Sequence, residues 1–172
     1  PTTSTTLTMA LGDALAVTLL ERKGFTAKDF KVFHPGGKLG QQLMRVTEIM
    51  HTGAAVPMAP ETVSVADAVK IINEKGFGCI ALTGEDGTLS GIITDGDIRR
   101  HLSDGLLQKT ARDVMTRAPK IANDGMLVAE AMAIMNDLKN AFRKITTLVV
   151  VDQANKPVGL LHLHDCLRAG FA

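Results

Sequence analysis

The chain has 172 residues, and its nineteen basic and eighteen acidic side chains leave a formal charge of +1, too little to mark a polyanion-binding surface. Six Phe with neither Tyr nor Trp offer few platforms for stacked bases, so nucleic acid is not an expected partner. Hydrophobic residues at 45% and charged ones at 22% describe an ordinary globular protein; no apolar run approaches the roughly 20 residues that span a bilayer, and a cytoplasmic protein without a membrane partner is expected.

The first element is a helix. Leu7, Leu11, Ala14, Leu15, Thr18 and Leu19 fall on one helical face, with Ser4 or Thr5 as cap and Gly24 just past the end. Thr26-Ala27-Lys28-Asp29 has the pattern of a capping box for a short second helix. His34-Pro35-Gly36-Gly37 then breaks the chain before another helical turn around Gln41 to Met44. Residues 1–44 would have too little core to stand alone and are expected to be the helical tail of another domain. With Pro1 in place of an initiator Met, the sequence reads as beginning partway through a longer protein.

From residue 45 onward the chain is duplicated. Val46-Thr47-Glu48-Ile49-Met50 is answered by Ala111-Arg112-Asp113-Val114-Met115, and Val65-Ala66-Asp67-Ala68-Val69 by Val128-Ala129-Glu130-Ala131-Met132. Gly91-Ile92-Ile93-Thr94-Asp95-Gly96-Asp97 is likewise answered by Gly159-Leu160-Leu161-His162-Leu163-His164-Asp165. In the first copy, Ser64 caps a helix through Lys75, strands follow at Cys79 to Thr83 and Leu89 to Thr94, and a helix runs from Asp95 to Leu102. The second copy predicts a helix from Leu127 to Leu138, strands at Thr147 to Val151 and Val158 to His162, and a closing helix to Arg168. Each unit is β-α-β-β-α, a mixed α/β (α+β) fold, with domains at 45–105 and 106–172 and a short polar connection at 103–110. Two copies are too few for a solenoid, so they are expected to close face to face on a pseudo-twofold axis, with a cleft between equivalent strand ends.

The chemistry concentrates at those strand ends. Thr94 stands where a strand becomes a helix, so its hydroxyl and the first free N–H groups point the same way, suited to phosphate. Asp97 falls in the first helical turn, where a carboxylate is favoured and can accept from a vicinal diol; the competing reading is a plain capping box. As a first-turn residue it is expected to add little stability. Asp165 recurs at the same offset, while His162 replaces the Thr. His162 and His164 are spaced to share a strand face, but no third ligand accompanies them and no metal is assigned. Arg99, Arg100 and Lys144 could meet phosphate, or be plain surface charges. His51 and His101 carry no readable role. Cys79 and Cys166 lack paired or metal-ligand spacing and are expected to be reduced core thiols.

These motifs carry two resemblances. Residues 46–169 resemble a pair of cystathionine-β-synthase (CBS) domains; the resemblance implies that Gly91, Thr94 and Asp97, and in the second repeat His162 and Asp165, line nucleotide-binding clefts, the first being the more typical. Phe33-His34-Pro35-Gly36-Gly37-Lys38-Leu39-Gly40, together with the Thr-rich start, is similar to the end of the sugar-isomerase (SIS) domain of bacterial arabinose 5-phosphate isomerases. That family implies isomerisation of ribulose 5-phosphate to arabinose 5-phosphate on the route to the lipopolysaccharide sugar Kdo. It further implies a catalytic role for His34, no required cofactor, and CMP-Kdo, AMP or ATP as regulatory nucleotide. A homodimer of this chain and a homotetramer of the parent are expected, with no isomerase activity from residues 1–172 alone. The competing reading is a free-standing adenine-nucleotide sensor acting on a separate partner.

Overall fold

The computed structural model describes residues 2–26, 29, 38–103, 105–136 and 145–171. The chain divides into two compact units, residues 1–43 and 44–172.

In the first unit, α1 (Thr3–Arg22) begins after Thr2, so Ser4 and Thr5 lie inside the helix rather than capping it; the Thr2 side chain makes no cap bond and sits 3.1 Å from the Ser4 hydroxyl. Its end is as expected: Gly24 takes φ +62°, and Phe25 N–H donates to the Leu20 carbonyl while Gly24 N–H donates to that of Glu21, a closure that favours glycine. The expected single apolar face is not found. Met9 and Leu20 lie opposite Leu7, Leu11 and Leu15 at 100° per residue, with Val17 to one side, and all six are exposed. At 20 residues and mean hydropathy 1.2, α1 is also long and apolar enough to cross a membrane by length and composition alone, contrary to the expectation that no segment approaches this; Asp13 near its middle would be costly in hydrocarbon. Thr26 and Asp29 form the expected reciprocal pair, with Thr26 N–H and hydroxyl donating to the Asp29 carboxylate at 2.8 and 2.7 Å. A short helix, α2 (Lys38–Gln42), follows. His34 and its Pro-Gly-Gly turn lie outside the described residues.

The second unit contains both repeats. The first is β1 (Met58–Pro60), α3 (Val65–Lys75), β2 (Cys79–Thr83), β3 (Leu89–Thr94) and α4 (Asp95–Arg100). After α5 (Ala111–Val114) and β4 (Thr116–Arg117) comes the second: β5 (Ile121–Asn123), α6 (Val128–Met135), β6 (Thr147–Val151), β7 (Pro157–His162) and α7 (Leu163–Arg168). The β-α-β-β-α outline holds in both. Ser64 caps α3 by accepting from Asp67 N–H. β1 runs parallel to β2 and β2 antiparallel to β3, with Ile80 opposite Ile93; β5, β6 and β7 repeat this, with Leu148 opposite Leu161.

The lead-in of each repeat is exchanged. β4 precedes the second repeat yet pairs with β3 of the first, Thr116 opposite Ile92. Its counterpart is His51, whose N–H and carbonyl both bond Leu160 of β7. Side chains follow the backbone: Ala111, Val114 and Met115 complete the first core with Ile80, Leu82 and Ile93, while Val46 joins Leu148, Val150 and Leu161 in the second. Leu106 is buried in the first core, so the 103–110 connection is not uniformly polar. Residues of opposite parity on the same strands, Cys79, Ala81 and Ile92 from one sheet and Val149, Val151 and Leu160 from the other, form a third core where the sheets meet. This burial on both faces explains why β2 and β6 read as unbroken apolar runs.

Both cysteines are buried thiols. Burial pushes the Cys79 thiol up to about 12, against a hydrogen bond with Thr147 across the sheet interface.

Candidate functional site

Two pseudo-equivalent polar clusters form where β3 passes into α4 and β7 into α7. The exchange builds both, because each draws one side chain from the other repeat's lead-in.

In the first cluster, Thr94 is the N-cap of α4. Its hydroxyl accepts from Asp97 N–H at 3.2 Å and donates to Asp97 Oδ2 at 2.6 Å, and its N–H donates to the same oxygen at 2.9 Å. Asp97 Oδ1 accepts from the Thr116 hydroxyl of β4 at 2.8 Å and from Arg100 at 2.5 Å. The carboxylate is thus buried, 3% exposed, with four donors. Desolvation works to raise its pKa, but the bonds from Thr94, Thr116 and Arg100 prevail and hold it below the ordinary carboxylate value. His101 Nδ1 lies 2.9 Å from the Asp97 carbonyl, at the other end of α4.

In the second cluster, His162 is the N-cap of α7, and its Nδ1 accepts from His164 N–H at 3.2 Å. Asp165 Oδ2 lies 2.8 Å from His51 Nε2, and its Oδ1 accepts from Arg168. Desolvation again opposes, and Arg168 and His51 outweigh it, so Asp165 too is depressed. The Phe77 ring stands 4.7 Å from His51 and 6.1 Å from His162. Desolvation first and then the neighbouring His164 hold His162 below the ordinary histidine value.

Of the residues singled out from sequence, Thr94, Asp97 and Arg100 come together, as do His162 and Asp165. Gly91 has a different task at its place in β3: a Cβ there would stand 2.8 Å from the Thr116 carbonyl, so glycine lets β4 approach. Gly159 does the same for His51, at 2.9 Å from its carbonyl. Arg99 points elsewhere, lining a cavity of about 270 Å³ with Val69, Ile72, Asn73, Asp95 and Ile98. Lys144 and His34 lie outside the described residues. The His162 and His164 rings meet edge to face at 4.8 Å, and among the described residues no group of three or more His, Cys, Asp or Glu is placed to hold a metal ion. Sequence reasoning missed Thr116, His51 and Phe77. Aligning the repeats places His51 opposite Thr116, and that alignment was the available signal.

Two β-α-β-β-α repeats that swap lead-ins and meet sheet to sheet, with a cap and carboxylate at each strand end, define a tandem-repeat module of the CBS-pair class. The chain belongs to the CBS-domain family, whose model matches residues 46–104 and 111–172. It is 47% identical to the arabinose 5-phosphate isomerase KdsD of Pseudomonas aeruginosa, over 99% of this chain and 52% of that protein. It is 43% identical to KdsD of Escherichia coli, over 99% and 51%. The chain therefore spans about half the length of these relatives. Among solved structures, CBSX2 in complex with AMP, from Arabidopsis thaliana, superposes with a TM-score of 0.62 at 25% identity, covering 73% of this chain and 95% of that one. The CBS pair of MJ0100 in complex with 5′-methylthioadenosine and S-adenosyl-L-methionine superposes at 0.60 with 26% identity, covering 73% and 94%.

Proposed function

We propose that this chain is the nucleotide-sensing CBS pair of a cytoplasmic sugar-phosphate isomerase that interconverts ribulose 5-phosphate and arabinose 5-phosphate in Kdo synthesis. The observation that carries the reading is the 47% identity to an arabinose 5-phosphate isomerase across 99% of the chain. That match takes in the residues ahead of the repeats, which a free-standing sensor has no need of. The complex of CBSX2 with AMP supports a nucleotide as the signal, and that of MJ0100 with 5′-methylthioadenosine and S-adenosyl-L-methionine supports an adenosine-bearing ligand.

The geometry allows such a ligand at the first strand end. Asp97 keeps three donors from Thr94 and Thr116, whereas its fourth, Arg100, is 47% exposed in its side chain. A ribose diol can take the place of Arg100 on Oδ1, leaving that guanidinium free for phosphate. The second strand end presents imidazoles and Arg168 to an anion. A homodimer of the chain follows the same reading, within a tetrameric enzyme.

Calorimetry of the chain against AMP, ATP and CMP-Kdo tests the sensing role; no heat with any of the three overturns it. The isomerase role is tested in an enzyme of the relatives' length that carries these residues. There His34→Ala is expected to lower turnover at least about a hundredfold, the low end of general acid–base contributions.

A further inference from the structure

The two strand ends share a backbone and differ in what can bind a proton. In the first, Thr94 and Thr116 do not titrate, Asp97 is held ionised, and among the described residues the imidazole in contact is His101, which bonds the Asp97 carbonyl at the far end of α4. In the second, His162 supplies the side-chain acceptor that caps α7. Its Nδ1 accepts from His164 N–H, so the neutral ring carries its proton on Nε2. A protonated imidazole has two donors and no acceptor. Protonating His162 therefore turns its cap nitrogen into a donor facing a donor, and the hydrogen bond is lost.

The surroundings offer little help in accommodating that charge. His164, Asp165 and Arg168 face His162 from α7, and His51 from the segment paired with β7. Asp165 is the one anion among them, and it is already bonded to His51 and Arg168. Phe77 adds only its ring, and Thr147, opposite His162 on β6, does not titrate. Burial and the nearby His164 keep His162 neutral to lower pH than an ordinary histidine.

We infer that His162 is a proton-operated cap: acidification releases the first turn of α7, which carries Asp165, while α4 with its Thr94 cap stays closed. Over the histidine range, around and below about pH 6.5, the second strand end is thus proton-responsive and the first is not, whether or not either binds a nucleotide.

Amide hydrogen exchange by NMR tests this within one molecule, with rates divided by the intrinsic rates at each pH. Below about pH 6.5, the ordinary histidine pKa, protection of the His164 amide is expected to fall by up to about tenfold per pH unit until the lower pKa of His162 is reached. Protection of the Asp97 amide, capped by Thr94, should stay level over the same range. At about pH 8 the ring 15N shifts of His162 should show an unprotonated Nδ1. His162→Thr, which installs the first repeat's cap, should abolish the pH response, and His164→Gln should keep it. A level His164 profile in the wild type, or a protonated Nδ1 at pH 8, overturns the inference. So does a response that survives His162→Thr. If His162→Thr does not fold, loss of the response in His164→Gln overturns it by making His164 the sensor.

Discussion

Thr116 donates a 2.8 Å hydrogen bond to Asp97 from nineteen residues further along the chain, tying the second repeat's lead-in to the first repeat's helix cap. Asp97 is therefore a structural junction as well as a candidate ligand contact. Its replacement by Ala leaves the Thr94 N–H, two hydroxyls and a guanidinium without their acceptor. We expect Asp97→Ala to cost about 1.5–3 kcal/mol in urea unfolding, the range for hydrogen bonds to a charged group. A first-turn carboxylate on an exposed helix contributes only the small helix-dipole effect; burial makes the difference here. Thr116→Val, which loses one bond of the set, should cost less.

The exchanged lead-ins predict that the first repeat cannot fold from its own continuous sequence. A chain ending at residue 105 lacks Ala111, Val114 and Met115, all buried in the first core, and lacks β4, which covers the edge of β3. Residues 44–105 should give a poorly dispersed amide spectrum, while residues 44–172 give a dispersed one. A well-dispersed spectrum from the shorter chain would show that the exchange is dispensable.

Gly91→Ala and Gly159→Ala should each destabilise by about 1–3 kcal/mol, the usual cost of overpacking. In both, the added methyl meets a backbone carbonyl, of Thr116 or His51, at 2.8 or 2.9 Å, and a paired strand cannot rotate aside as a side chain can. Thermal unfolding of the two variants checks this, and unchanged melting would mean that the strands part without cost.

These same positions show how far the sequence could be read. β2, β3, β6 and β7 were legible because burial on both faces writes a run such as Thr147-Leu148-Val149-Val150-Val151, bounded by turns. α3 was legible through Ser64 and Gly76 at its ends. β4 was not, because a two-residue strand has no period and its partner lies in the other repeat. The pairs Thr116–Asp97 and His51–Asp165 were invisible for the same reason. Thr94 and Asp97 were found, and the capping-box reading weighed for them describes their geometry. The apolar residues of α1 suggested one face only while Met9, Val17 and Leu20 were left out of the count.

Acid should remove the contribution of Asp97 along with that of the other depressed carboxylates, Asp165 among them. Its folded pKa lies below the ordinary value near 3.8, so the unfolded chain binds the proton first as pH falls. The stabilisation is fully present above the unfolded pKa and is lost as pH drops through the folded one. Unfolding free energy should therefore decline below about pH 4, with a shallower slope in Asp97→Asn, which cannot take up that proton. Identical acid slopes in urea titrations of the two proteins would place the linkage on other carboxylates.

Ligand binding should separate the two strand ends. Asp97→Ala is expected to weaken AMP binding more than Asp165→Ala, because only the first end couples its carboxylate to a threonine hydroxyl. Loss of charge-assisted bonds worth about 1.5–3 kcal/mol corresponds to roughly 10- to 150-fold in affinity. Since Asp97→Ala also destabilises, the titration is run where circular dichroism shows both variants folded. Arg100→Ala supplies the control: it leaves Thr94 and Thr116 on Asp97 and removes only an exposed partner, so stability should be nearly unchanged while phosphate affinity falls. Equal affinity for AMP in wild type and folded Asp97→Ala would leave Thr94 and Asp97 as a helix cap alone, and would move the search for the nucleotide to the His51, Phe77 and His162 cluster.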